Sequence, residues 1–134
     1  MTLKELVYDE NAILHLYEKN GWTAYTKKPA QLFAGIRNSL YAHGAYDGDT
    51  LVGLIRVFGD GETVIYIQDI LILPDHQRQG IGTKLMKVIF DKYAHVNQII
   101  LTTDLEERQK AFYESVGFQT YETAGIRGFI KLNR

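Results

Sequence analysis

Cysteine is absent from the 134 residues, and proline occurs only at Pro29 and Pro74. Without a thiol the chain has no disulfide, no thiolate nucleophile and no cysteine metal site. Long apolar runs are missing too, and no stretch approaches the ~20 residues that a membrane-spanning helix needs. The opening MTLKELVYDENAIL carries acids and reads as neither a signal peptide nor a span, so a cytoplasmic location is expected. An excess of one charge is also lacking, since 15 Lys+Arg stand against 16 Asp+Glu. That balance speaks against nucleic acid or an anionic membrane as partner, because both require a concentrated basic surface. His15, His43, His76 and His95 are scattered without ligand spacing, and no metal is expected. What remains is 46% hydrophobic residues in a length suited to one domain, residues 1–134, around a single core.

Patterning divides the chain into two styles. DENAILHLYEKNG predicts a helix with Asp9 as N-cap and Asn20-Gly21 as its stop. TKKPAQLFAGIRNSL predicts a second, with Pro29 in the first turn and Leu32, Phe33, Ile36 and Leu40 as the buried stripe. YAHGAYDGDTLVGLIRVFGDGETVIYIQDILIL then splits at two Asp/Gly turns into three strand-like runs, an antiparallel meander. After it the order becomes strand, helix, strand, helix. A helix is predicted over Thr83 to Tyr93, a buried strand over QIILTT, and a helix over EERQKAFYESVG with Phe112 and Val116 inward and Gly117 at C′. GFQTYET and RGFIKLN are predicted as two closing strands. A strand–helix–strand unit implies a parallel pair joined by a right-handed crossover. The class is α/β, or α+β, with a mixed sheet and helices on both faces.

The most informative stretch is ILILPDHQRQGIGTKLM, Ile70 to Met86. A strand that enters a helix through a glycine-rich loop exposes the helix's first N–H groups. Those donors, together with the helix dipole, attract phosphate oxygens. Gly80 and Gly82 let the backbone approach a ligand closely, while Arg78 and Gln79 add a guanidinium and an amide that can reach anionic oxygens. No Gly-Lys-Ser/Thr follows, as a P-loop would require, and the position of a third dinucleotide-loop glycine is taken by Leu85. The pattern that fits is [QR]-x-x-G-x-[GA], matched by Gln77-Arg78-Gln79-Gly80-Ile81-Gly82. The chemistry points to a pyrophosphate.

Two helices, a meander, ILILPDHQRQGIG, a helix, a strand and KAFYESVGF in that order resemble the GNAT superfamily of acyl-CoA-dependent N-acetyltransferases. The likeness covers most of the chain. It implies a mixed, mostly antiparallel sheet of about six to seven strands, with a splay after the central strand. The pantetheine arm of acetyl-CoA would lie in the splay against the backbone of Ile70, Leu71 and Ile72, and an N–H of Leu71 or Ile72 would polarise the thioester carbonyl. The pyrophosphate would rest on the amides of Arg78, Gln79, Gly80, Ile81, Gly82 and Thr83. Tyr113 occupies the family's tyrosine position and would support the departing thiolate. Phe112 beside it is a cofactor contact or part of the core. Asp69, the only acid in IYIQDILIL, would take the proton of the attacking amine or else serve as a structural acceptor.

The resemblance implies direct acetyl transfer to a primary amine, whether a small amine, an arylalkylamine or an amino group of a peptide or protein. Trp22, Tyr25, Tyr41, Tyr46 and Tyr121 would offer aromatic faces to that amine. Partners would be the acceptor and a second copy in a homodimer. Where many relatives place asparagine at the start of the last helix, this chain has Glu106. The rival reading is a non-catalytic acetyl-CoA-binding regulatory or interaction domain.

Overall fold

Residues 1–133 are described by the computed structural model, in two compact units: Met1–Thr102, and a second beginning at Thr103. The first holds β1 (Thr2–Glu5), α1 (Glu10–Lys19), α2 (Thr23–Thr26), α3 (Pro29–Arg37), β2 (Tyr41–Asp47), β3 (Thr50–Gly59) and β4 (Val64–Ile72). After one 3-10 turn at Pro74–His76 come α4 (Ile81–Lys92) and β5 (Gln98–Leu101). The strands form one sheet in chain order, antiparallel from β1 to β4 and parallel between β4 and β5.

The helices form where capping and periodicity coincide. Asp9 accepts the Ala12 N–H at 3.1 Å to start α1, whose Ile13, Leu16 and Tyr17 are fully buried. Pro29 opens α3, which buries Leu32 and Ile36, whereas Leu40 lies beyond the helix and is exposed. In α4 the buried stripe is Ile81, Leu85, Met86 and Ile89. β3 is buried on both faces from Leu51 to Val57. Tyr17 of α1 reaches the face that carries Arg56 and Asp69, while Ile81 of α4 lies against Gly53. Residues 53 and 56 point to opposite sides of a strand, so helices cover both faces of the sheet.

Three features differ from the pattern reading. β1, TLKE, has a single half-buried apolar residue and gains its order by pairing with β2 from Thr2↔Tyr46 to Glu5↔His43. The one-turn helix α2 is too short to show a period. The sheet among the described residues has five strands, not six or seven. GFQTYET holds turns at Gly117 and from Tyr121, with the Ala124 N–H bonded to the Thr120 carbonyl, and RGFIKLN is assigned no regular secondary structure. In the second unit α5 (Glu107–Ser115) ends at Gly117, φ 107°, as its C′ glycine requires. Phe112 and Val116 of that unit are half-buried, and α5 buries no residue fully.

The β3–β4 turn sets the register on which the site depends. The Asp60 carboxylate accepts the N–H groups of Glu62, Thr63 and Val64 and the Thr63 hydroxyl, which holds its carboxyl well below the usual range. Gly59 takes φ 132°, where a Cβ would collide with the Val64 carbonyl oxygen. Gly59→Ala is expected to lower unfolding free energy by on the order of 3 kcal/mol in urea, because strain and overlap combine. A change below about 0.5 kcal/mol would mean that the turn relaxes without cost.

Candidate active site

The site begins where two strands part. β4 pairs with β5 only from Val64↔Gln98 to Ile67↔Leu101, yet continues to Ile72. On its other side, Asp69 pairs with Arg56 and Ile67 with Val57, which leaves Gln68 as an extra residue. A bulge of this kind bends and twists its strand, so β4 turns away from its neighbour at the point where it bulges. The Leu73 N–H bonds the Val52 carbonyl at 2.8 Å, which fixes the alternation along the strand. Leu71 therefore directs its backbone toward Leu54 of β3, whereas Ile70 and Ile72 direct theirs to the open edge. The Ile72 carbonyl accepts from the Gln77 side-chain amide at 3.1 Å. That leaves the Ile72 N–H, with both backbone groups of Ile70, facing the gap. Of the three strand residues expected to bind, Leu71 is turned inward by backbone and by its buried side chain.

The loop closes the end of this gap. Arg78 takes φ 64° and Gly80 φ 79°, two left-handed residues one apart, before α4 starts at Ile81. For arginine this conformation costs on the order of 1 kcal/mol, a strain that loops retain where a concave array of N–H groups is formed. No side chain caps α4, so its first N–H groups are left for a ligand. A Cβ on Gly80 would meet nothing within 4 Å, so the glycine answers to its dihedral and not to crowding in the protein. Arg78, Gln79, Gly80 and Thr83 are exposed, Gly82 is half-buried, and Ile81 offers only its amide because its side chain is in the core. The array fits the diphosphate of a coenzyme A: uncapped donors, a flanking guanidinium, and an open path to an edge of free backbone groups.

Behind β4 lies a buried ion pair. The Arg56 Nε donates to the Asp69 Oδ2 at 2.5 Å, and the two side chains are only 5% and 3% exposed. Tyr17 donates to the same oxygen at 2.8 Å and Tyr25 to Oδ1 at 3.0 Å. The Tyr25 oxygen in turn accepts from the Gln68 amide at 3.0 Å and from the Arg56 Nη2 at 3.4 Å. Gly35 makes room for the guanidinium, since a Cβ there would stand 3.3 Å from Nη1. Asp69 is thus a paired anion with three donors, held between α1, α2 and β3. The two lone charges in LVGLIRVFG and IYIQDILIL, adjacent strands of a meander, were the signal for this pair.

Of the five expected pocket aromatics, Trp22 and Tyr25 come together, while Tyr41 and Tyr46 lie on β2. Trp22 and Tyr25 stack at 6.1 Å, both edge-on to Tyr17. Tyr46 is buried and accepts the Val7 N–H at 3.0 Å, and Tyr41 contacts His43 at 2.6 Å. Tyr121 belongs to the second unit. There Tyr113 is half-buried, packed edge-on against Phe112 at 5.2 Å and Phe118 at 6.0 Å, and Glu106 precedes α5 without a side-chain cap bond. Among the described residues no cluster of three His, Cys, Asp or Glu could hold a metal, and no helix is long and apolar enough to cross a membrane.

Residues 7–118 match the model of the acetyltransferase (GNAT) family. The chain is similar to a GNAT-family acetyltransferase protein of Streptococcus pneumoniae TIGR4, with 37% identity and a TM-score of 0.88 over 99% of this chain and 98% of that one. A curated Gibberella zeae protein described as an acetyltransferase is 31% identical over 81 residues, 58% of this chain and 45% of that protein. The chain spans about half the length of the curated relatives it matches. An aminoglycoside 6'-N-acetyltransferase complexed with coenzyme A shares the fold at TM-score 0.73 and 20% identity, over 87% of this chain and 84% of that one.

Burial, then the Asp69 charge, raises the Tyr17 hydroxyl well above its ordinary value, and the same two causes raise Tyr25. Both are protonated in the fold, while in the unfolded chain they ionise near pH ~10. Their contribution is therefore complete below about pH 10 and is lost as pH rises toward the folded values. Chemical denaturation from neutral to strongly alkaline pH should show stability falling above that point. Tyr17→Phe should be less stable at neutral pH and decline less steeply. Equal slopes for both proteins would remove Tyr17 from the linkage.

Proposed function

The chain belongs to the acetyltransferase (GNAT) family, and on that premise we propose that it transfers an acetyl group from acetyl-CoA to a primary amine. The observation that carries this reading is the juxtaposition of an open β4 edge at Ile70 and Ile72 with an uncapped, glycine-led helix start at Gly80. When bound, acetyl-CoA supplies the acetyl group as a thioester, already activated toward a nitrogen nucleophile. The amides of Arg78 to Thr83 would hold the pyrophosphate, with the Arg78 guanidinium on its oxygens. Ile70 and Ile72 would orient the pantetheine arm through their backbones. The Ile72 N–H is the donor suited to charge developing on the carbonyl oxygen.

With no cysteine in the chain, no acyl-thiol form of the enzyme is available and transfer is direct. Tyr113 is assigned to the departing thiolate on the family resemblance of FYESVGF: a phenol ionises near 10 and a thiol near 8.5, so a phenol can give such a thiolate a hydrogen bond or a proton. Asp69 has three donors on it already. In this reading it fixes Tyr25 and the bulge, and a proton reaching it passes through the Tyr25 hydroxyl. The acceptor amine is a small molecule or a peptide amino group. That acceptor class draws support from fold neighbours named as aminoglycoside acetyltransferases.

Acetyl-CoA at a hundredfold excess over its Kd should stabilise the folded protein by about 2.7 kcal/mol, read as a rise in Tm. With an accepted amine, thiol release is measurable without background, because the protein has no thiol of its own. Tyr113→Phe should keep the thermal shift within a few-fold in Kd and lose roughly ten- to a thousandfold in turnover. No shift at millimolar acetyl-CoA would overturn the reading, and a Phe variant at full speed would assign Tyr113 to packing.

A further inference from the structure

Gln68, the residue left over at the bulge, is exposed and uses one end of its side chain: Nε2 donates to the Tyr25 hydroxyl at 3.0 Å. The buried ion pair dictates the direction of that bond. Asp69 is an anion and only accepts, so Tyr25 gives its one proton to Oδ1. The tyrosine oxygen is then an acceptor alone, and takes the Arg56 Nη2 and the Gln68 amide. An amide that gives its NH2 to Tyr25 turns its carbonyl oxygen the other way, and the Gln68 Oε1 accepts no hydrogen bond among the described residues. The surroundings offer ring faces but no free charge. α2, β3 and β4 contain one acid between them, Asp69, whose side chain is 3% exposed and paired with Arg56. The half-buried rings of Tyr25 and Phe58 already carry the Arg56 guanidinium, at 5.6 and 5.3 Å. An ammonium arriving there would compete for faces that hold a cation and would meet no unpaired carboxylate on these three elements.

We propose that the Gln68 Oε1 receives an N–H of the acceptor amine, and that the site thereby selects monoamines with a flat apolar body, taken up uncharged, over polycations. The proposal rests on the acetyl-transfer reading and names its acceptor class. An amide oxygen orients an amine through one proton and leaves the nitrogen lone pair free, but it does not replace the hydration of an ammonium. The ammonium proton is therefore left in solvent before uptake, and the apolar body lies against Tyr25 and Phe58. Gln68 and Ile70 are two residues apart, roughly 7 Å along a strand, so one segment of β4 presents both the amine and the acyl arm where β4 leaves β5. The nitrogen lone pair forms the C–N bond as the C–S bond breaks. The proton that the nitrogen sheds neutralises the thiolate, so an amide and a free thiol result with charge balanced.

The test uses the full chain, with 2-phenylethylamine as the flat monoamine and spermidine and kanamycin as polycations. Thiol release from acetyl-CoA should give 2-phenylethylamine a kcat/KM at least roughly tenfold above either polycation. In the dead-end complex with coenzyme A, Gln68→Leu should raise the Kd of 2-phenylethylamine roughly tenfold, the loss of one hydrogen bond. Its thermal stabilisation by acetyl-CoA should stay that of the wild type, since Gln68 is exposed and lies apart from the phosphate loop. In a Tyr25→Phe background, where no hydroxyl fixes the amide, the same substitution should cost less than about threefold. Gln68→Glu, of the same shape but charged, should move the preference toward the polycations. Faster turnover of a polycation by the wild type would overturn the proposal and leave acetyl transfer standing. So would equal affinity of the wild type and Gln68→Leu for 2-phenylethylamine. No thermal shift with acetyl-CoA would overturn the acetyl-transfer reading itself, and this proposal with it.

Discussion

A guanidinium and a carboxylate buried across two strands hold the working part of this molecule together. Arg56 and Asp69 face each other in the β3–β4 register at the residue where β4 bulges. Removing two charges from water costs several kcal/mol each, and the pair tolerates it because both Asp69 oxygens accept hydrogen bonds. Tyr17 binds the pair to α1 and Tyr25 binds it to α2, so one ionic contact fixes the helices, the bulge and the direction of β4 together. Losing either partner would strand the other charge in the interior, a change typically worth about 3–5 kcal/mol. The pair is better understood as specifying an arrangement than as adding net stability. A same-shaped apolar pair could pack as well, but it would not hold two tyrosines on a bulge.

From that anchor the proposed recognition surface follows through the backbone. The bulge turns β4 from β5, which frees the alternate peptide groups at Ile70 and Ile72, and Gln77 ties the following loop back to the strand at the Ile72 carbonyl. The loop then reverses through Arg78 and Gly80 into a helix with no side-chain cap. Strand edge, left-handed turn and helix start present N–H groups in series. In the proposed site the side chains contribute little except Arg78.

Much of this was legible in the residues, and the reasons differ by element. Glycine and proline punctuate the chain at Asn20-Gly21, Pro29, Asp47-Gly48 and Gly80, so helices α1, α3 and α4 and the meander could be placed from turn chemistry and periodicity. β1 and α2 could not, because four residues carry no period and their order comes from pairing and packing. The two closing runs have strand composition but form no strand among the described residues, since strand propensity describes the fit of side chains to a pleated, half-covered surface and does not fix the backbone. Asp69 drew notice as a lone acid among isoleucines. Its counter-ion was equally visible as the lone Arg56 one strand earlier, but joining the two required the register, and the register contains a bulge that composition does not show. The direction of each backbone group at Ile70, Leu71 and Ile72 was likewise out of reach until the Leu73–Val52 hydrogen bond fixed the alternation.

The central claim is that backbone groups on the open edge of β4 receive the acyl-donor arm, and amide hydrogen exchange read by NMR tests it residue by residue. Without ligand, the Leu71 amide should exchange slowly because it is bonded to β3, while the Ile70 and Ile72 amides exchange faster from the open edge. Saturating acetyl-CoA should slow Ile70, Ile72 and the first amides of α4 by at least roughly tenfold and leave Leu71 slow in both states. Saturated binding with the Ile70 and Ile72 exchange rates unchanged would contradict the account.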